Sequence, residues 1–267
     1  MSPPARVLAG FGATAEPEPL GGGQGQAWRC GDLVLKPLDW SMSQEELEWQ
    51  GAVLRSVPED GFRVPRLRRA SDGSSLVDGW CAWGYVEGEH EERRWADVIA
   101  AGERFHAALA GVPRPDLIDA RTDHWAIGDR VAWGELPPER FANVEHLRRL
   151  LAALRPIDAR SQLVHGDLTG NVLFAPALAP AVIDFSPYWR PPEFATAVVV
   201  GDALAWEGAD ESLLGAVEHV ESFPQFLLRA LIYRIVVDAV FRKGQPDRAD
   251  DDDCFRGPVE LACGLAG

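Results

Sequence analysis

The chain has 267 residues, 46% of them apolar and 25% charged, and its 41 acidic against 26 basic side chains give a formal net charge of −15. A chain of this size buries about 70–75% of its unfolded surface without a disulfide or metal staple, and its composition excludes a disordered, collagen-like or coiled-coil protein. The acidic balance argues against a nucleic-acid partner, which needs Lys and Arg to displace phosphate counterions, and no run of 18 apolar residues exists to span a membrane.

In chain order, residues 11–20 read as an extended segment carrying Pro17 and Pro19, followed by the glycine-rich turn Gly21-Gly22-Gly23-Gln24-Gly25. Residues 32–36 form a short apolar strand, and Ser43-Gln44-Glu45-Glu46 is a capping box opening a helix that runs to about Val57. Residues 62–69, 76–77 and 80–86 read as strands, with Asp72-Gly73 as a turn. After Glu87-Gly88 the pattern turns helical, over 94–110, where Val98, Ala101, Phe105 and Leu109 share a face, and over 143–154. Residues 163–164 and 181–183 are short buried strands. Residues 192–206 and 211–220 are helical, 225–242 is a long helix apolar on most sides, and 245–253 is a polar loop with four consecutive aspartates. The predicted fold class is α+β and bilobal, with a small β-rich lobe over 1–87 and a larger α-helical lobe over 88–267, and a ligand expected between them. Met1 to Gly10 lacks the charged-then-apolar order of a secretory leader. Cys30, Cys81, Cys254 and Cys263 lack metal spacing, so reduced thiols in the cytoplasm are expected.

The densest chemistry lies at Leu163-Val164-His165-Gly166-Asp167-Leu168-Thr169-Gly170-Asn171-Val172-Leu173-Phe174, followed by Val182-Ile183-Asp184-Phe185. Phosphoryl transfer needs an oriented oxygen nucleophile and magnesium bridging phosphates. A carboxylate can accept the hydroxyl proton, and Asp and Asn oxygens can hold the metal. A hairpin of the two apolar strands is expected to bring the Asp167, Asn171 and Asp184 oxygens around one cleft, in the H-x-D, then N, then D-F order of kinases, with Asn171 four positions after Asp167. His165 is expected to brace this loop by hydrogen bonding rather than to react. A second signal lies in the first lobe. Glycines let the backbone fold closely over phosphates, and Lys36, one of only two lysines in the chain, ends the following strand where it can meet phosphate oxygens.

These residues together resemble the aminoglycoside phosphotransferase family, relatives of choline, homoserine and fructosamine kinases with a protein-kinase-like fold. His165-Gly166-Asp167 with Asn171-Val172-Leu173 is similar to their catalytic loop, and Gly201-Asp202-Ala203-Leu204-Ala205 to their later G-D-P-x-x-D-L-A motif. The resemblance implies ATP or GTP with Mg2+, Asp167 as catalytic base, Asn171 and Asp184 as magnesium ligands, Lys36 at the α/β-phosphates, and Asp202 holding the catalytic loop. It implies a helix carboxylate paired with Lys36, which is assigned to Glu48, with Glu45 and Glu46 as rivals. Tyr85-Val86-Glu87-Gly88 resembles the family hinge, so adenine is expected against the main chain of Gly84, Tyr85 and Val86.

The implied activity is transfer of the γ-phosphate to a hydroxyl of a small molecule: a cationic antibiotic such as an aminoglycoside, or a sugar or amino alcohol. The alternative is a nucleotide-binding pseudokinase with a regulatory role. Residues 186–200 depart from the family pattern, with Ser186 where protein kinases carry Gly and an aromatic, proline-rich run after it. Trp189 and Glu193 there are candidates for the acceptor side, beside Tyr188 and Arg190. The competing reading is that 187–192 packs as a stiff turn.

Overall fold

The computed structural model describes residues 2–21, 25–141, 145–243 and 253–267. In chain order its elements are α1 (Ala5–Phe11), β1 (Glu18–Pro19), β2 (Trp28–Cys30), β3 (Leu33–Pro37), α2 (Gln44–Ser56), β4 (Leu67–Arg68) and β5 (Trp80–Gly84). Then come α3 (Trp95–Leu109), α4 (Leu117–Ala120), α5 (His124–Ala132), α6 (Glu145–Ala153), β6 (Gln162–His165), β7 (Val172–Leu173), β8 (Ala181–Val182) and β9 (Pro187–Arg190). The chain closes with α7 (Pro192–Trp206), α8 (Phe223–Lys243) and α9 (Arg256–Ala266). Among the described residues no helix is long and apolar enough to cross a membrane.

The chain resolves into two compact units, Met1–Glu91 with Gly170–Phe185, and Glu92–Thr169 with Ser186–Gly267. The single division expected after residue 87 is therefore replaced by three chain crossings, because residues 170–185 fold with the first unit. That unit is a five-stranded antiparallel sheet in the order β1-β2-β3-β5-β4, with β7 and β8 as a separate two-stranded ladder. Val7, Cys30, Leu35, Trp80 and Ala82 form one of its buried clusters. Helix α1 supplies Val7, which the sequence reading left in an unassigned segment. It is a seven-residue helix closed by Gly12 in the left-handed region, whose N–H caps the Ala9 and Leu8 carbonyls. Ser43 caps α2 as its sequence suggests, its Oγ accepting from the Glu46 N–H at 3.0 Å.

The second unit is helical. α8 lies among α5, α6, α7 and α9, and from Phe226 to Val237 every residue is buried. This is the burial its apolar circumference demands. The hairpin expected between 163–164 and 181–183 does not form. β6 pairs antiparallel with β9, matching Leu163 to Trp189 and Val164 to Tyr188, while β7 pairs with β8, matching Val172 to Val182. The short β7–β8 link closes a smaller loop than the expected hairpin and so costs less chain entropy. It leaves β6 to the aromatic run of β9, which is a strand rather than a turn. Residues 211–220, expected as an α-helix, are a 3-10 helix over Glu211–Val217.

Candidate functional site

In the first unit, the β3–β5 register sets Lys36 opposite Cys81, whose thiol pKa is pushed up by burial. One step beyond the β7–β8 ladder, the Ile183 N–H donates to the Asn171 carbonyl at 2.9 Å, so Asn171 and Asp184 stand at the same open end of that ladder. Asp184 adopts a left-handed backbone, φ 47°, which Asp and Asn tolerate better than other residues. Its Oδ1 accepts a hydrogen bond from the Lys36 ammonium. Burial pulls the Lys36 pKa down, and the adjacent Asp184 charge more than offsets this, so the lysine stays a cation.

The partner of Lys36 is thus Asp184 and not, as expected, Glu48. The Glu48 carboxylate instead accepts from Ser75 Oγ at 2.7 Å and Gln44 Nε2 at 3.2 Å and faces Arg69 Nη1 at 3.5 Å. These partners, Ser75 first, hold its pKa below the usual carboxylate range. Of its rivals, Glu45 is exposed, while Glu46 is buried and accepts from Gln50 Nε2 at 3.3 Å. The glycine-rich turn is the loop of the β1–β2 hairpin, closed by the Leu20 N–H on the Ala27 carbonyl at 2.9 Å. Gly25 has φ 65°, where a side chain would be strained, and Gly21 is exposed; Gly22, Gly23 and Gln24 lie outside the described residues. At the expected base-reading segment, the Gly84 N–H donates to the Arg66 carbonyl at 2.8 Å and the Tyr85 N–H to the Asp32 carbonyl at 2.7 Å. The Arg29 guanidinium lies 3.9 Å over the Tyr85 ring, and Val86 follows, half-buried.

In the second unit, Asp167 follows β6 on a loop set by two histidines. The His165 N–H donates to His106 Nε2 at 3.0 Å, and His165 Nδ1 accepts from the Asp167 N–H at 3.2 Å and the Ser186 N–H at 3.4 Å. Gly166 is required by space: a Cβ there would meet Tyr188 Cδ2 at 2.3 Å, which explains H-G-D in place of H-R-D here. Gly102 on α3 likewise admits Leu168 of the same loop. The Asp167 Oδ1 accepts from Arg234 Nη2 at 2.7 Å, and the same guanidinium forks onto Asp202, whose side chain is 2% exposed. Neither His106 nor Arg234 was singled out from the sequence. A signal for Arg234 was present: with Arg229 it interrupts an otherwise apolar helical run, and a cation buried there needs polar or anionic partners.

His106 is 1% exposed, and burial, with the nearby His165, pushes its pKa down to about 3. The unfolded chain therefore binds a proton below about pH 6.5 that the folded chain refuses. The stability so contributed is complete above about pH 6.5 and declines by about 1.4 kcal/mol per pH unit as pH falls toward 3. His106→Gln is expected to flatten this dependence. Urea denaturation of both proteins at about pH 7 and about pH 5 checks it, and an equal slope in the two would refute the assignment.

The acceptor candidates are placed differently from one another. Trp189 is half-buried on β9, lining a small recess with Arg114, Asp119, Arg121 and Arg130. Glu193 sits in the first turn of α7, where a carboxylate complements the helix dipole. Their neighbours are committed to the fold. Tyr188 Oη meets Tyr233 Oη at 3.1 Å, and Arg190 forks onto Asp129 at 2.9 and 2.7 Å and reaches Glu135 at 2.6 Å.

A small antiparallel-sheet unit and a larger helical unit, in this chain order, are those of a protein-kinase-like fold. The chain belongs to the phosphotransferase enzyme family, whose sequence model matches residues 18–188. Solved structures share the fold. An aminoglycoside phosphotransferase from Alicyclobacillus acidocaldarius is 15% identical with a TM-score of 0.63, covering 98% of this chain and 95% of that one. A microcompartment-associated aminopropanol kinase is 16% identical with a TM-score of 0.58, covering 97% and 94%. A thermostable mutant of aminoglycoside phosphotransferase APH(4)-Ia, in ternary complex with AMP-PNP and hygromycin B, is 16% identical with a TM-score of 0.57, covering 97% and 95%. A search of curated proteins finds no match.

Proposed function

We propose that this protein transfers the γ-phosphate of ATP or GTP to a hydroxyl of a small, positively charged molecule such as an amino sugar or amino alcohol. The observation that carries this reading is the Lys36 ammonium resting on Asp184 beside Asn171. A cation already sits on an Asp carboxylate, and that carboxylate with the Asn amide oxygen makes the hard donor set magnesium prefers. Among the described residues no cluster of three or more His, Cys, Asp or Glu side chains is placed to hold a metal ion. Asn171 and Asp184 would therefore hold magnesium together with phosphate oxygens and water, as is usual for this ion. Held there, the ion would neutralise charge on the phosphates.

The other roles fall to the chain. Lys36 exchanges Asp184 for the α/β-phosphates, with Gly21 and Gly25 beside them. The Gly84 and Tyr85 N–H groups are used within the sheet, so the base is read by main chain from Val86 onward. Asp167 orients the acceptor hydroxyl in line with the γ-phosphate, and Trp189 and Glu193 line the acceptor side. The net charge of −15 favours approach of a cationic acceptor, and hygromycin B and aminopropanol in the names of the structural neighbours are of that kind. The four free cysteines suit a reducing, nucleotide-rich compartment, the cytoplasm.

Magnesium with ATP or GTP at millimolar concentration is expected to raise Tm, since a ligand at a hundredfold excess over Kd adds about 2.7 kcal/mol to the native state. ADP or GDP release is then measured across aminoglycosides, sugars and amino alcohols. Stabilisation without product release from any of them would favour the pseudokinase, and no stabilisation by either nucleotide would overturn the reading.

A further inference from the structure

Arg234 lies on α8 and is 9% exposed. Its guanidinium is shared between two carboxylates: Nε donates to Asp202 Oδ1 at 2.7 Å, and Nη2 donates both to Asp202 Oδ2 and, at 2.7 Å, to Asp167 Oδ1. The rings of Tyr233 and Trp206 flank it at 5.0 and 5.8 Å. Burial opposes a charge on Arg234, but the two carboxylates hold it firmly cationic. The Asp167 side chain, by contrast, is 41% exposed. A half-exposed carboxylate is thus tied to a buried cation that a buried anion holds in place.

We propose that Arg234 is a positioning residue for phosphoryl transfer: it fixes the plane of the Asp167 carboxylate, with Asp202 as its anchor. The proposal rests on the role given to Asp167 above. The χ2 torsion of an aspartate is broad, so a carboxylate on a loop samples many orientations unless something holds it. An in-line attack needs that group within about 0.5 Å and 10–20° of its productive place, and misplacement by about 1 Å costs on the order of a hundredfold in rate. A guanidinium suits the task because its rigid fork addresses two acceptors at fixed angles, which an ammonium cannot do. Asp202, to which the family resemblance gives a loop-holding role, thereby also reaches Asp167 through Arg234, from a helix that follows the family motifs in the chain.

The test removes the clamp without stranding a buried charge. Arg234→Met combined with Asp202→Asn neutralises both buried partners, and Arg234→Lys keeps the charge but loses the fork. Nucleotide diphosphate release from MgATP is measured with water and with the fastest acceptor of the panel above, alongside Asp167→Asn. The double variant is expected to lose about 10–100-fold in kcat, with the KM for MgATP held within about twofold. Arg234→Lys is expected to fall between it and the parent, and it carries the same test if the double variant fails to fold. A purely structural triad would shift Tm and leave kcat within twofold; that result overturns the clamp while leaving the Asp167 reading intact, provided Asp167→Asn abolishes turnover. Turnover surviving in Asp167→Asn would overturn the underlying reading and the clamp with it.

Discussion

Asp167→Asn is expected to lower kcat by about a hundredfold or more while leaving the Kd for MgATP within about twofold. Asparagine has the same shape, and its carbonyl oxygen can still accept from Arg234 Nη2 as Asp167 Oδ1 does. The loop should hold, because His165 Nδ1 accepts from the main-chain N–H of residue 167 and not from its side chain. Gly166 remains packed on Tyr188 for the same reason. The Asp167 side chain is 41% exposed, so its ion pair with Arg234 is screened and its loss should cost less than about 1 kcal/mol of stability. On the function proposed above, what disappears is the negative charge that orients the acceptor hydroxyl and takes its proton as the phosphate transfers. Steady-state kinetics with isothermal titration of MgATP checks the division. Turnover within tenfold of the parent would show that some other group orients the nucleophile.

The residues proposed to carry chemistry could be named from the sequence because phosphoryl transfer constrains their types and order. Lys36, Asp167, Asn171 and Asp184 could be named from spacing, since glycine-rich turn, strand lysine, H-x-D, Asn and a second Asp follow one another in kinase order. The long helices were legible too: α7 has its expected bounds and α3 and α8 differ from theirs by one or two residues at each end, because extended apolar periodicity is a strong signal. The pairings were not. Strand partners depend on which segment closes the smaller loop, and β7 with β8 won over β6 with β8. Glu48, Glu45 and Glu46 share one helix turn, and spacing alone cannot say which carboxylate faces which cation. The structure turns Glu48 to Ser75 and gives Lys36 to Asp184. Arg234 was hidden for a related reason: its partners Asp202 and Asp167 are 32 and 67 residues away, and no local pattern links them.

Asp184→Asn is expected to abolish most of the magnesium dependence of nucleotide binding. Asn is the replacement that isolates charge. It tolerates the left-handed backbone at φ 47° nearly as well as Asp, so the turn after β8 should keep its shape. Two opposite consequences then follow from one substitution. The oxygen donor set at the ladder end loses its only formal charge, leaving the amide oxygens of residues 171 and 184, and neutral donors hold magnesium more weakly. Affinity for MgATP should fall by at least about tenfold, or roughly 1.4 kcal/mol. At the same time Lys36 loses the carboxylate it rests on, so its ammonium meets phosphate oxygens without first giving up an ion pair. Metal-free ATP should therefore bind the variant as tightly as the parent, or more tightly. The measurement is a pair of titrations, ATP with millimolar magnesium and ATP with EDTA, for parent and variant. Equal losses in both would mean that Asp184 acts on the nucleotide through the fold and not through the metal, and its place at the end of the β7–β8 ladder would have to be read as structural.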